Sequence, residues 1–180
     1  ATGTPIESLD NSTYYPFTAS LAWHAFLLDP DGASSDQYVT PFDTQGIVNT
    51  RYRIEESGNI TDNQFSAGFT FKDIISLGAT FSKSTISYSS ASIREETITE
   101  AESDLASWDF SENLNIEGVC FNVKLGAIFH ADWLKLGIAW HSGTNYSVDD
   151  TYWNTINSYW KDGSANHAQS STGFYEYLLQ

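Results

Sequence analysis

Lys124, Lys135 and His141 are the side chains of this 180-residue sequence whose type and spacing best suit recognition of a ligand. The chain carries only eight Lys and Arg against 23 Asp and Glu, for a formal net charge of −15. Against that background, Lys124 and Lys135 sit in segments where polar and apolar residues alternate, so parity puts both on one strand face. Two cations on such a face can hold a carboxylate headgroup or pair with acids. His141 shares their parity, as does His130; His24 and His167 complete the histidines. The spacing of His130 and His141 argues against a shared metal. Eight strand positions lie between their levels in the expected register, which is roughly 26 Å at about 3.3 Å per residue. Glu95 and Glu96, with Glu100, Glu102 and Asp104 nearby, have the composition of paired carboxylates for glycosidic or calcium chemistry. No Asp-x-Asp-x-Asp-Gly loop accompanies them, and they read as a solvated acidic loop. No Gly-x-Ser-x-Gly is present. Cys120 stands alone, which excludes an internal disulfide and a Cys-based zinc site. Nothing assembles a catalytic site, so neither enzymatic activity nor a cofactor is expected.

The elements that must position these residues are strands. Phe65, Ala67, Phe69 and Phe71 are apolar at every second position, with Ser66, Gly68, Thr70 and Lys72 between them. Period two gives a strand with one apolar face. After Asp73 the pattern restarts, with Ile75, Leu77, Ala79 and Phe81 apolar. A three-residue turn, Lys72-Asp73-Ile74, sets Phe71 against Ile75, Phe69 against Leu77, and Gly68 against Gly78, so both faces match. The design recurs. Phe121, Val123, Leu125, Ala127 and Phe129 make one face, and Leu134, Leu136, Ile138 and Trp140 continue it after a tight turn at Ala131-Asp132. That turn pairs Leu125 with Ile138, Val123 with Trp140, Gly126 with Gly137 and Asn122 with His141. The segments LGATF (77–81), LGAIF (125–129) and LGIAW (136–140) are copies of one strand design.

Residues 1–44 read as loop with a short helix near 20–28, ended by Asp29-Pro30-Asp31-Gly32. Strands occupy 45–180, with long polar loops expected at about 89–112 and 148–172. Short turns at one end and long loops at the other, with strands of roughly nine to eleven alternating residues, fit a transmembrane β-barrel. The fold class expected is all-β, an antiparallel transmembrane barrel represented by about six strands of a larger one. Aromatic residues make up 15 % of the chain. Trp133 falls beside a short turn, and Tyr88 and Tyr146 near the long loops, at the depths where aromatic girdles form. The charge balance excludes nucleic acid, which requires clustered basic side chains. A soluble cell-surface β-sandwich that binds glycans or proteins through Trp108, Trp153 and Trp160 is the alternative. In a barrel the Phe65/Phe69/Leu77/Phe81 face meets lipid; in a sandwich it is buried under a second sheet.

Three stretches carry a resemblance to a known family: LAWHAFLLDP (21–30), SGNITDNQFSAGFTFKDIISLGATF (57–81) and SWDFSENLNIEGVCFNVKLGAIFHADWLKLGIAWHS (107–142). The closing GFYEYLLQ (173–180) reads as a further strand of it. In order and spacing they resemble the FadL/TodX-like outer-membrane transporters, in particular a Bacteroidetes branch often labelled hemin receptors. The resemblance implies a monomeric barrel of about fourteen strands in the outer membrane of a Gram-negative cell, contacting lipid and lipopolysaccharide. It implies passive uptake of hydrophobic small molecules such as long-chain fatty acids or aromatic hydrocarbons, with lumen-facing Lys124, Lys135 and His141 as candidate ligand contacts. The N-terminal hatch of the family and its terminal aromatic residue have no counterpart here. With no Met and no leader, the sequence reads as a chain processed from, or cut out of, a longer one.

Overall fold

In a computed structural model the described residues are 3–12, 14–32, 36–42, 47–99 and 103–179. Strand accounts for 69 % of the described residues and helix for 7 %, and the sheets are antiparallel, so the all-β, antiparallel expectation holds. Two short helices come first, α1 (Ile6–Asp10) and α2 (Ala19–His24), then two short strands, β1 (Asp29–Pro30) and β2 (Tyr38–Val39). Seven strands follow: β3 (Ile47–Phe71), β4 (Ile75–Thr99), β5 (Leu105–His130), β6 (Lys135–His141), β7 (Asn145–Trp160), β8 (Ala165–Gln169) and β9 (Gly173–Leu179). β1 and β2 form a small sheet of their own, with Pro30 opposite Tyr38. The other seven form one sheet in the order β3-β4-β5-β7-β8, with β6 beside β5 and β9 beside β7.

The first hairpin follows its alternation. β3 ends at Phe71 and β4 begins at Ile75. The turn closes through Ile74 N–H donating to Phe71 O at 3.0 Å, with Lys72 and Asp73 at left-handed φ of 49° and 56°. Hydroxyl pairs fix the register: Ser66 with Thr80 and Thr70 with Ser76, each at 2.9 Å. Gly68 meets Gly78 as the sequence implies. A Cβ on Gly68 would stand 3.3 Å from Leu77 O, so the strands close in where no side chain intervenes.

The second hairpin corrects the expectation by one turn position. Its loop is Asp132-Trp133, closed by Ala131 N–H to Leu134 O at 2.7 Å and by the reciprocal bond at 3.3 Å. Moving a two-residue loop one position along the chain shifts every partner by two. Leu125 therefore faces Trp140 in place of Ile138, Gly126 faces Ala139 in place of Gly137, and His141 faces Lys124 in place of Asn122. Each residue keeps its face, since the shift is even.

The segments expected as long loops, 89–112 and 148–172, are mostly strand. β4 continues to Thr99, β5 starts at Leu105, and β7 and β8 occupy 145–160 and 165–169. Polar side chains there find partners across the sheet. Ser92 donates to Glu112 at 3.2 Å, Asn157 donates to Asp109 at 2.8 Å, and Arg51 pairs with Glu95 at 3.5 Å. Thr, Tyr, Ile and Trp supply strand propensity regardless of polarity. Glu100 and Glu102 lie outside the described residues. The helix expected near 20–28 is α2, which stops at His24 because Phe26 turns back at φ 56°.

The chain divides into two compact units. The first comprises 1–56, 89–114 and 151–173 and holds a hydrophobic core. Leu21, Ala25 and Leu27 from α2 and its exit pack against Ile98, Leu105, Ile156 and Ala168 from the strands. Polar anchors fix the helical segment to the sheet. Asn154 Nδ2 donates to Phe17 O at 2.9 Å, and Ser158 Oγ donates to Ala25 O at 2.7 Å. The second bond satisfies a carbonyl left free at the end of α2. Ser20 Oγ donates to Leu9 O and ties α2 to α1.

The β7–β8 turn yields a pH prediction. Gly163 takes the left-handed φ of 90° that the turn requires. Asp162 accepts from Ser164 Oγ at 2.7 Å and from Ser164 N–H at 2.8 Å. These bonds, the side-chain one first, hold its carboxyl below the usual range. A lowered folded-state value means the carboxylate adds stability above that range and loses it as pH falls through it. Asp162→Ala is therefore expected to melt below the parent at pH 7. The two melting temperatures should converge as the buffer is taken below the carboxylate range.

Candidate functional site

The second unit, residues 57–88, 115–150 and 174–180, inverts the arrangement of the first. Most of its large apolar side chains point away from protein, with Val148, 1 % exposed, an exception. Phe65 and Ile138 are each 74 % exposed, and even Leu77, among the least exposed, is 41 %. With Phe69, Phe81, Phe121, Leu125 and Trp140 they occupy alternate positions on one face of β3, β4, β5 and β6. Phe81 and Phe121 stack with centroids 6.0 Å apart. A shallow depression of about 570 Å³ lies among Phe69, Leu77, Leu125, Ile138 and Trp140, over a floor that includes Gly68, Gly78 and Gly126.

The opposite face is small and polar apart from Ile128. Ser66, Ser76, Thr80, Gly78, Gly126 and Ala139 line an open concavity of about 720 Å³, which Lys124 and His141 also border. Small side chains on adjacent strands leave this volume vacant; one Phe among them would fill much of it. No Asp or Glu lines it.

The structure divides the three residues singled out from sequence. Lys124 and His141 are direct cross-strand partners at the edge of the concavity. Lys124 is half-buried and His141 exposed. Lys135 shares their face but stands opposite His130, six positions along the ladder, which is about 20 Å at 3.3 Å per residue. It does not reach the same ligand atom. His130 Nε2 lies 3.0 Å from Ser76 Oγ. The His130–His141 separation is thus about 20 Å rather than 26 Å, and still beyond shared coordination. Among the described residues no group of three His, Cys, Asp or Glu side chains is placed to hold a metal.

Sequence reasoning missed what lies next to Lys124. Two positions along β4 from Thr80, Ser82 is 1 % exposed. Two positions back from Lys124 on β5 is Asn122. Ser82 Oγ and Asn122 Oδ1 are both buried without a hydrogen-bond partner. Cys120 is buried as a free thiol. Parity assigns all three to the polar face; burial is common for a Cys, but nothing in the types of Ser82 and Asn122 announces it.

In the first unit the acidic pair separates. Glu95 reaches Arg51 at 3.5 Å. Glu96, its neighbour on the other face, accepts from Arg94 Nε at 2.9 Å and from Trp108 Nε1 at 3.1 Å. The Arg94 guanidinium also lies 5.9 Å from the centre of the Trp108 ring. Adjacent strand residues face opposite ways, so these two carboxylates cannot act on one substrate atom. Trp108 and Trp160, expected in loops as sugar platforms, lie in strands and pack against the core. No protein-family model matches this chain, and no curated protein matches it.

Proposed function

We propose that the second unit forms wall of an outer-membrane β-barrel channel, one that passes hydrophobic small molecules such as long-chain fatty acids or aromatic hydrocarbons. The observation that carries this reading is the apolar face of β3–β6, left uncovered at alternate positions while the opposite face, Ile128 apart, is small and polar. Water penalises such a face at about 25 cal/mol per Å² of apolar surface; lipid does not. No helix among the described residues is long and apolar enough to cross a membrane, so any crossing falls to strands. β3 contributes residues 57–71 and β4 residues 75–88 to this unit, each more than the nine to eleven that a tilted strand needs. Trp133, 86 % exposed at the tip of its turn, suits the membrane–water interface.

On this reading the protein performs no covalent step. Lipopolysaccharide blocks direct entry of apolar solutes, and a small-residue concavity on the lumenal face offers them a lower-barrier path. The whole protein would act as a monomer in outer-membrane lipid.

Refolding with and without detergent, followed by far-UV circular dichroism, tests the reading. Strand signal that appears only with detergent, and a chain that partitions into the detergent phase, are expected. A monodisperse β-protein in plain buffer would overturn the membrane assignment and direct attention to glycan binding by a soluble form.

A further inference from the structure

We infer that a cleft in the first unit binds a neutral saccharide, with Tyr52 and Phe110 against the sugar ring and Arg94 and Glu112 on its hydroxyls. All of these residues belong to the first unit, so the site goes beyond the channel reading and does not depend on it.

The cleft has a volume of about 500 Å³ and is lined by Thr50, Tyr52, Ser92, Arg94, Phe110 and Glu112. That volume falls within the roughly 300–1,000 Å³ of small-molecule sites. The six occupy alternate positions, so they share one face of β3, β4 and β5. Register explains their meeting. Thr70 pairs with Ser76 and Thr99 reaches Ile47, and counting between those pairs sets Tyr52 beside Arg94. Ser92 bonds Glu112 and Trp108 bonds Glu96, which sets Arg94 beside Phe110. One rung of the sheet is thus Tyr52, Arg94 and Phe110, and Ser92 and Glu112 occupy the next rung on this face.

Charge selects against ions. Glu96 neutralises Arg94, whose Nε donates to it at 2.9 Å, so Glu112 leaves the cleft with one carboxylate in excess. An anionic ligand meets that carboxylate in a chain whose net charge is already −15. A cationic ligand meets the Arg94 side chain, which is 54 % exposed. A neutral ligand that hydrogen-bonds is left.

The polar groups suit hydroxyls, each of which donates and accepts at once. Arg94 commits Nε and Nη2 to Glu96 and keeps the donors of Nη1. Glu112 accepts from Ser92 on Oε2, which leaves Oε1 to accept. Donor and acceptor stand diagonally on adjacent strands, an arrangement that serves neighbouring hydroxyls of one ring. The aromatic groups suit the apolar C–H face of such a ring. Tyr52 is 59 % exposed, while Phe110 is half-buried and anchored on the core. Trp108 has a different part. Its ring lies 5.9 Å from both the Arg94 guanidinium and the Phe42 ring, and it holds the guanidinium in place.

A panel of immobilised neutral oligosaccharides with their sialylated and sulfated counterparts, probed with the full chain folded in a detergent without sugar headgroups, tests this. Binding to neutral members is expected, and each acidic counterpart should bind more weakly. Tyr52→Ala should weaken the best neutral ligand by about tenfold, the loss of one aromatic contact, and Tyr52→Phe should bind nearly as the parent does. Glu112→Gln should relax the discrimination against acidic counterparts. Tyr14→Ala, at a tyrosine 57 % exposed outside the cleft, should change nothing. Circular dichroism on each variant separates a lost contact from a lost fold. No binding to any neutral member, a preference for acidic ones, or unchanged affinity in a folded Tyr52→Ala would overturn the site.

Discussion

Leu125→Arg is expected to lower the stability of the membrane-inserted protein by about 2–4 kcal/mol, the cost of Arg at mid-depth on a lipid-facing barrel strand. Leu125 faces Trp140 across the ladder and is 47 % exposed. In water the same change at so exposed a position would stay within about 0.5 kcal/mol. The predicted loss is therefore a property of the solvent, and it decides between lipid and water. Against a total stability of about 5–15 kcal/mol, one such substitution is a large fraction. Adding Leu77→Arg on the same face of the next strand should prevent insertion altogether. Thr70→Arg, on the opposite face, is the control and should cost far less. Denaturant titration of the chain folded into vesicles measures all four proteins. If Leu125→Arg folds as well as the parent, lipid does not touch this face.

The second large effect belongs to the first unit. Leu21→Ala is expected to cost about 2–5 kcal/mol, from lost transfer energy and the cavity left behind. Leu21 is 2 % exposed in the core. α2, with six residues, is far below the length at which a helix persists unaided. Its order comes from packing and from the bonds that Asn154 and Ser158 make to Phe17 O and Ala25 O. Removing the Leu21 side chain should release the segment before it disturbs the strands beneath. Hydrogen exchange reads this directly: amides of 19–27 should lose protection while those of β7 keep most of theirs. Equal loss in both would mean that the segment and the sheet melt as one.

The parts of this fold that rest on local alternation were legible in the sequence. Phe65 to Phe81 defines a strand, a turn and a second strand without outside help, and the Gly68–Gly78 contact follows. The second hairpin was legible only to parity. Neither Ala131-Asp132 nor Asp132-Trp133 carries the Asn-Gly or Asp-Gly signature of a two-residue loop, and both choices leave every side chain on the same face. The faces were thus readable and the partners were not. That distinction governs the candidate site. Parity put Lys124, Lys135 and His141 on one face, but only the true register joins Lys124 to His141 and leaves Lys135 apart. The polar strands at 89–112 and 148–172 failed for another reason. Their Ser, Thr, Asn and Glu side chains are satisfied across the sheet, by pairs such as Asn157 with Asp109, which composition cannot foretell. Helix packing was the least readable of all, since Phe17 and Asn154 are far apart in the chain.

The order of the seven-stranded sheet also says something about how such a chain can be built. Each long strand lies beside its neighbour in sequence, and two of the reversals are loops of only three and two residues, Lys72–Ile74 and Asp132–Trp133. Loop-closure entropy grows with the logarithm of loop length, so these two closures are the cheapest the topology offers. Once closed, each hairpin zips outward, one rung at a time. Thr99 Oγ1 reaches Ile47 O at 3.2 Å across 52 residues of chain, yet no search over 52 residues is needed to bring them there. Assembly by pairs has a further merit beside a bilayer. A lone strand entering lipid carries all its amides bare, whereas a hairpin enters with one edge of each strand already bonded. The rate-limiting event for this sheet is therefore expected to be the docking of preformed hairpins, not the formation of any one of them.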